Sequence, residues 1–255
     1  MSSELKTEEE EVVVYWAPHA HLSKQHQQIL LDIKPKSLMS EIQKRRAISH
    51  KVPPAPEPPY PGEYQSCSAL HTLTHNMFVI KAPFSAEIKL DSQGVIKGGQ
   101  KYGRWFKERI SSLENAHAID FDLSYMFFSE ESLDLTITPP YMHKTKQAQQ
   151  GFISSVSFDI SSWFRPYVLI YQLWEGVDTI TIEDDEPIAY LKFNTKKKVV
   201  LKPFKLTPYI ENQVNACLEH KHTKPHESME ELYDRFHRTG MHDRVAKEIK
   251  ENVIN

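Results

Sequence analysis

The chain has 255 residues, 40% hydrophobic and 25% charged, with 31 Lys and Arg against 34 Asp and Glu for a formal charge of -3. This composition excludes a disordered or fibrous polypeptide and removes the simplest electrostatic case for a nucleic-acid partner. Two cysteines, Cys67 and Cys217, are too few for a disulfide framework or a cysteine-rich zinc module, so a reducing compartment is expected.

Residues 1–11 are polar and acidic and end in four consecutive glutamates, where an export signal would need basic and then apolar residues. The longest apolar runs fall well short of the roughly 20 residues that span a bilayer, so the expectation is a cytoplasmic protein with no membrane partner. Residues 12–16, VVVYW, are β-branched and aromatic and predict a first strand, closed by Pro18. Between residues 23 and 50 the pattern turns helical, with Ile29, Leu30 and Ile33 ahead of Pro35, and Leu38 and Ile42 after it. Residues 52–61 hold six prolines in ten positions and predict an extended linker or a strap over a sheet.

Strand signals then follow at short intervals: residues 76–81, 84–90, 119–128, 133–138, 153–159, 168–174, 179–182, 188–193 and 199–206. The gaps are mostly too short for crossover helices, which argues against a doubly wound fold. The predicted fold is mainly β: an antiparallel sandwich, jelly roll or incomplete barrel with peripheral helices near both ends. Ser228-Met-Glu-Glu231 has capping-box spacing, Leu232 and Phe236 share a helical stripe with Met229, and Gly240 permits a break before Met241, Val245 and Ile249. The expected organisation is an acidic segment at 1–11, a β-rich core at 12–207 and a helical extension at 208–255 packed on that core.

The segments Ser66-Cys-Ser-Ala69, Asn76-Met-Phe-Val-Ile-Lys-Ala-Pro-Phe84 and Gly151-Phe-Ile-Ser-Ser-Val-Ser-Phe-Asp159, followed by Trp163-Phe-Arg-Pro166 and Asp185-Glu-Pro-Ile188, occur in an order that resembles an uncharacterised family of tailed bacteriophages and bacteria. The resemblance covers about residues 60–205. That family has no assigned reaction, so it implies no functional residues; it implies an accessory role, in the host cell cytoplasm if the chain is phage-encoded.

Several constellations could carry chemistry. His71 and His75 have a spacing that puts both imidazoles on one side of a helix or a strand. With His117, Asp120, Asp122 or His143 they could hold Fe or Zn for a β-sandwich oxygenase or hydrolase. His117 and Asp120 stand three apart, on opposite faces of a strand, and could meet only across a turn or bulge. Cys217, His220, His222 and His226 offer ligand types at spacings that match no common zinc module, and a polar hinge is the plainer reading. No nucleophile elbow, phosphate loop or dinucleotide-binding glycine pattern is present. The acidic run Glu183-Asp-Asp-Glu186 fits a turn between strands as well as a cation site.

The strongest local charge is basic: Lys192, Lys196, Lys197, Lys198, Lys202 and Lys205, with no acidic residue between them. Trp163, Phe164 and Arg165 add aromatic and guanidinium groups, and Lys101, Arg104, Lys107 and Arg109 form a second basic group. The leading expectation is a phage-type accessory or interaction protein that recognises a protein partner through these groups, without a cofactor. The alternatives are the metal enzyme using His71, His75, Asp120 and Asp122, and a single-stranded nucleic-acid binder using the lysines.

Overall fold

The computed structural model describes residues 10–19, 24–42, 68–90, 96–98, 110–112, 118–122, 125–162, 164–224 and 226–254. The proline-rich segment 52–61, Cys67, His117, Trp163 and the basic group 101–109 lie outside the described residues.

The strands sort into four sheets. One three-stranded sheet has β1 (Glu11–Pro18) between β15 (Lys198–Pro203) and β8 (Tyr125–Phe128). A five-stranded sheet runs β11 (Val156–Asp159), β9 (Asp134–Thr138), β14 (Pro187–Phe193), β3 (Met77–Lys81) and β2 (Lys36–Ser37). A four-stranded sheet runs β10 (Gly151–Ile153), β12 (Val168–Leu173), β7 (Ala118–Asp122) and β6 (Ile110–Ser112). The last has β13 (Thr179–Ile182), β4 (Ala86–Leu90) and β5 (Ile96–Gly98). Among the described strands every pairing is antiparallel except β1 with β15, which brings residues 11–16 and 198–203 side by side in parallel.

Among the described residues the helices include α1 (Lys24–Ile33), α2 (Ser68–Thr74), α3 (Gln147–Gln150), α4 (Pro208–Thr223), α5 (Met229–Arg238) and α6 (Met241–Glu251), and residues 38–42 are helical as well. The fold is therefore a mixed α/β arrangement of several antiparallel sheets with flanking helices. The strand orders of the described residues establish neither a closed barrel nor a jelly roll.

Two predicted strands divide. Residues 119–128 become β7 and β8 in different sheets, and residues 153–159 become β10 and β11 in different sheets. Alternation reports that a segment is extended and half-buried, but it is blind to a change of partner strand, which leaves the side-chain pattern intact.

β1 explains how the layers join. Val12, Val14 and Trp16 face one hydrophobic cluster with Phe127, Leu135, Leu169 and Phe193, whereas Tyr15 and Ala17 face another with Met126 and Phe128. A strand covered on both faces reads as the continuous apolar run seen at residues 12–17. The second cluster is closed by Ile210 and Val214 of α4, Leu232 and Phe236 of α5, and Val245 and Ile249 of α6. Each such side chain contributes about 1.5–3 kcal/mol when fully buried.

The helical layer is fastened at its corners. Thr207 caps α4 by accepting from the Ile210 N–H at 3.3 Å, with Pro208 in the first turn. The predicted capping box forms: the Glu231 N–H donates to Ser228 Oγ at 3.2 Å, and the Ser228 N–H donates to Glu231 Oε2 at 2.8 Å. Gly240 takes the left-handed conformation that separates α5 from α6. Beyond α6 the chain returns to the end of β15, where Lys205 N–H donates to Asn252 O at 2.9 Å and Ile254 N–H to Pro203 O at 2.8 Å.

Candidate interaction surface

The four residues of the expected metal site are held apart by the fold. His71 is on α2 and His75 just beyond its end, both exposed, on the approach to β3 of the five-stranded sheet. Asp120 and Asp122 are on β7 of the four-stranded sheet, two apart and so on the same face. Asp122 has another imidazole beside it, His19 Nδ1 at 3.5 Å, and His143 meets the buried Tyr190 hydroxyl instead. Among the described residues no three His, Cys, Asp or Glu side chains are gathered so as to hold a metal ion, and the Fe or Zn reading loses its structural support.

The Cys217 cluster also disperses. Cys217 is on the buried face of α4, where burial pushes its thiol pKa up to about 11, while His222 and His226 are exposed. His220 Nε2 lies 2.6 Å from Glu227 and 2.7 Å from Arg235, and Glu227 also pairs with Arg235. The hydrogen bond from His220 is the main cause that holds the Glu227 carboxyl below its ordinary pKa. This network ties the hinge between α4 and α5, the structural role expected of a polar hinge.

One serine does meet a histidine. Ser162 Oγ is 3.1 Å from His237 Nε2, but the same hydroxyl donates to Asp159 Oδ2 at 2.8 Å. With its proton on the carboxylate, Ser162 receives from the imidazole, whereas a nucleophilic serine must give its proton to one. Asp159 also accepts from the Ser161 N–H and Oγ at 2.8 and 2.7 Å. Burial pushes its pKa up, yet the hydrogen bonds from Ser161, Ser162 and Leu133 outweigh it and hold the carboxyl below the usual range. Asp159 is thus the organiser of a turn that seats α5 on the core.

The acidic run at 183–186 is likewise architectural. Glu186 accepts the Glu183 and Lys146 backbone N–H groups at 2.6 Å each, and Asp185, with φ of +60°, pairs with Lys81 at 2.9 Å. Between the sheets, Ile119, Phe121, Ile153, Tyr171, Ile180, Ile182 and Ile188 leave an apolar gap with space for no more than about one water, too small for a substrate.

The expected binding residues have mixed placements. Phe164 is fully buried, edge-on to Phe128 at 5.9 Å and close to Phe204, so it anchors the helical layer to the core and offers nothing to a partner. Arg165 is partly exposed, and Trp163 is outside the described residues. Lys192 donates to the carbonyls of Leu73 at 3.0 Å and His75 at 2.6 Å and so caps the end of α2. Lys197 pairs with Glu131 and Lys198 with Glu11, each at 2.6 Å. Lys196, Lys202 and Lys205 remain exposed along the β15 edge without an ion pair among the described residues. The basic patch is real, but half of its charge is already engaged.

Among the described residues, four of the exposed large hydrophobic side chains lie elsewhere, on the four-stranded sheet. β12 buries Leu169, Tyr171 and Leu173 and turns Val168, Ile170 and Gln172 outward. Val168 is 46% exposed and Ile170 37%, and just past the strand Trp174 is 46% exposed. Phe152 of β10, in register with Gln172, packs on Trp174 with ring centroids 5.0 Å apart. On the other side of β12, Asp122 is in register with Val168 and Asp120 with Ile170. An apolar stripe interrupted by Gln172, which donates to Ser154 Oγ at 3.2 Å, therefore runs along one strand, with an aromatic pair at one end and two carboxylates alongside.

Sequence reasoning placed the strand but missed the stripe. The available signal was that the outward phase of residues 168–174 is apolar at Val168, Ile170 and Trp174, broken only by Gln172, although the strand is covered on one face only. No helix among the described residues is long and apolar enough to cross a membrane. Compared with known proteins, the chain matches no family model, no curated protein and no solved structure.

Proposed function

We propose that this chain is a recognition protein rather than an enzyme, and that it binds another protein through the outward face of the four-stranded sheet. The observation that carries this reading is the set Phe152, Trp174, Ile170 and Val168, exposed on one face of the β10–β12 pair, with the hydrogen-bonded Gln172 and Ser154 between the aromatic pair and the two aliphatic residues. Isolated exposed apolar residues are ordinary, but an aromatic pair extended by two aliphatic residues along one strand is the composition of an interface centre. Removing an aromatic anchor from such a centre costs about 2 kcal/mol or more of binding. In the setting implied by the sequence resemblance, this is a phage-type accessory protein working in the host cytoplasm.

The test is site-directed photo-cross-linking in cells, with the reactive residue placed at position 174 in one form and at position 202 in another. A discrete protein adduct at 174, lost when Phe152→Ala is added, is the expected result. Adducts that are the same at both positions, or none at 174, contradict the assignment.

A second reading has one observation in its favour, the exposed Lys196, Lys202 and Lys205 on and beside the β15 edge, without an ion pair among the described residues. They could hold nucleic-acid phosphates or approach an acidic protein surface. With half of the lysine group engaged in pairing and capping, this edge is the weaker of the two surfaces.

A further inference from the structure

The charges around the stripe are segregated. The chain has 31 lysines and arginines, yet none falls within β10, β12, β7 or β6. The ionisable groups on the outward face of these strands are Asp120 and Asp122, and Glu175 and Asp178 stand exposed in the turn beyond Trp174. Asp122 is engaged by His19, whereas Asp120 has neither a hydrogen bond nor an ion pair with any described residue and sits directly across from Ile170. A carboxylate with no partner among the described residues, beside an open apolar stripe, is a poor device for stability and a good one for selecting a positive charge.

We infer, resting on the interface reading above, that the partner presents an extended, apolar and basic segment to this face: aliphatic or aromatic side chains on Val168, Ile170, Phe152 and Trp174, with a lysine or arginine reaching Asp120. The stripe follows alternate residues from Val168 on β12 to Trp174 just past it, with Gln172 between, which at the rise of a strand is about 20 Å, the length of about six extended residues. The carboxylates also exclude the competing use of the aromatic pair as a stacking platform for bases, because phosphates following the same stripe would run beside Asp120 and Asp122.

The experiment uses the full chain as bait for a pool of random short peptides. The recovered peptides are then measured by fluorescence anisotropy against the wild type, Trp174→Ala, Ile170→Ser and Asp120→Asn, with circular dichroism confirming that each variant is folded. The expected peptides carry Lys or Arg next to apolar residues. They bind Trp174→Ala and Ile170→Ser about tenfold more weakly or worse. They bind Asp120→Asn about threefold to tenfold more weakly at low salt, and the difference shrinks as salt rises.

Peptides that bind Trp174→Ala as well as the wild type overturn both this inference and the interface itself. Neutral or acidic peptides that need Trp174 but ignore Asp120→Asn overturn the basic partner and leave the interface standing. Single-stranded DNA that displaces the peptides, or a dimer seen by light scattering that Trp174→Ala dissociates, puts a nucleic acid or a second copy on the face and likewise overturns the inference.

Discussion

The three-stranded sheet around β1 and the four-stranded sheet around β12 present the same problem, an apolar outer face, and the molecule treats them differently. On the first, Tyr15, Ala17, Met126 and Phe128 are covered by α4, α5 and α6. On the second, Val168, Ile170, Phe152 and Trp174 are left open. The covered face is served by a segment with its own caps, a capping box and an αL break, so the chain invests local sequence signals in hiding it. The open face has a row of carboxylates beside it instead. An apolar surface buried by its own chain is a folding element, and the one kept open with carboxylates beside it is the surface we propose for recognition.

The largest effect should separate the two faces by stability. Phe236→Ala removes a buried ring from the covered face and is expected to lower unfolding free energy by about 3–5 kcal/mol in urea denaturation. Trp174→Ala, on the open face, should stay within about 0.5–1 kcal/mol of the wild type in the same measurement. Equal losses from the two variants would break the comparison, because Trp174 would then be core. The covering helices should also respond to their caps: Ser228→Ala removes the acceptor of the Glu231 N–H and should cost about 1 kcal/mol by the same method.

Acid should act on the covered side first. The folded Asp159 carboxyl lies below its ordinary pKa, so its stabilising hydrogen bonds operate above the unfolded value of about 3.9 and are lost as pH falls through the lower folded value. Asp159→Asn should therefore flatten the stability profile below about pH 4, and an acid limb as steep as in the wild type would contradict the role given to this turn. The smallest effect concerns the lysine edge. With Lys196, Lys202 and Lys205 unpaired among the described residues, single-stranded DNA binding should be weak, with a log–log salt slope of magnitude about 2 or less. A slope near twice that would mean the paired lysines are released to phosphates, and would raise the basic edge above the aromatic face.

Most of the elements were legible in the sequence because their signals are local. The apolar phase of residues 84–90 and 168–174, the Pro35 and Gly240 breaks and the Ser228–Glu231 box each depend on neighbours within a few residues. What escaped depends on partners far along the chain. Nothing local says that β1 takes β15 as a parallel neighbour, or that Ile119 and Phe128 serve different sheets. The same limit explains the candidate sites. The lysines read as a free basic cluster until Glu131, Glu11 and the end of α2 are brought to them, and Phe164 reads as a surface anchor until Phe128 and Phe204 close around it. Asp120 and His71 looked like possible co-ligands only while their sheets were unassigned.

The central claim is most directly tested by hydroxyl-radical footprinting of the chain, free and bound to the partner recovered by cross-linking. Tyr141, 55% exposed and packed against Tyr190 of the five-stranded sheet, is the internal control. The account requires Trp174 and Phe152 to become protected on binding while Tyr141 reacts as before. Protection of Tyr141, with Trp174 still fully reactive in the complex, would place recognition on another surface and contradict it.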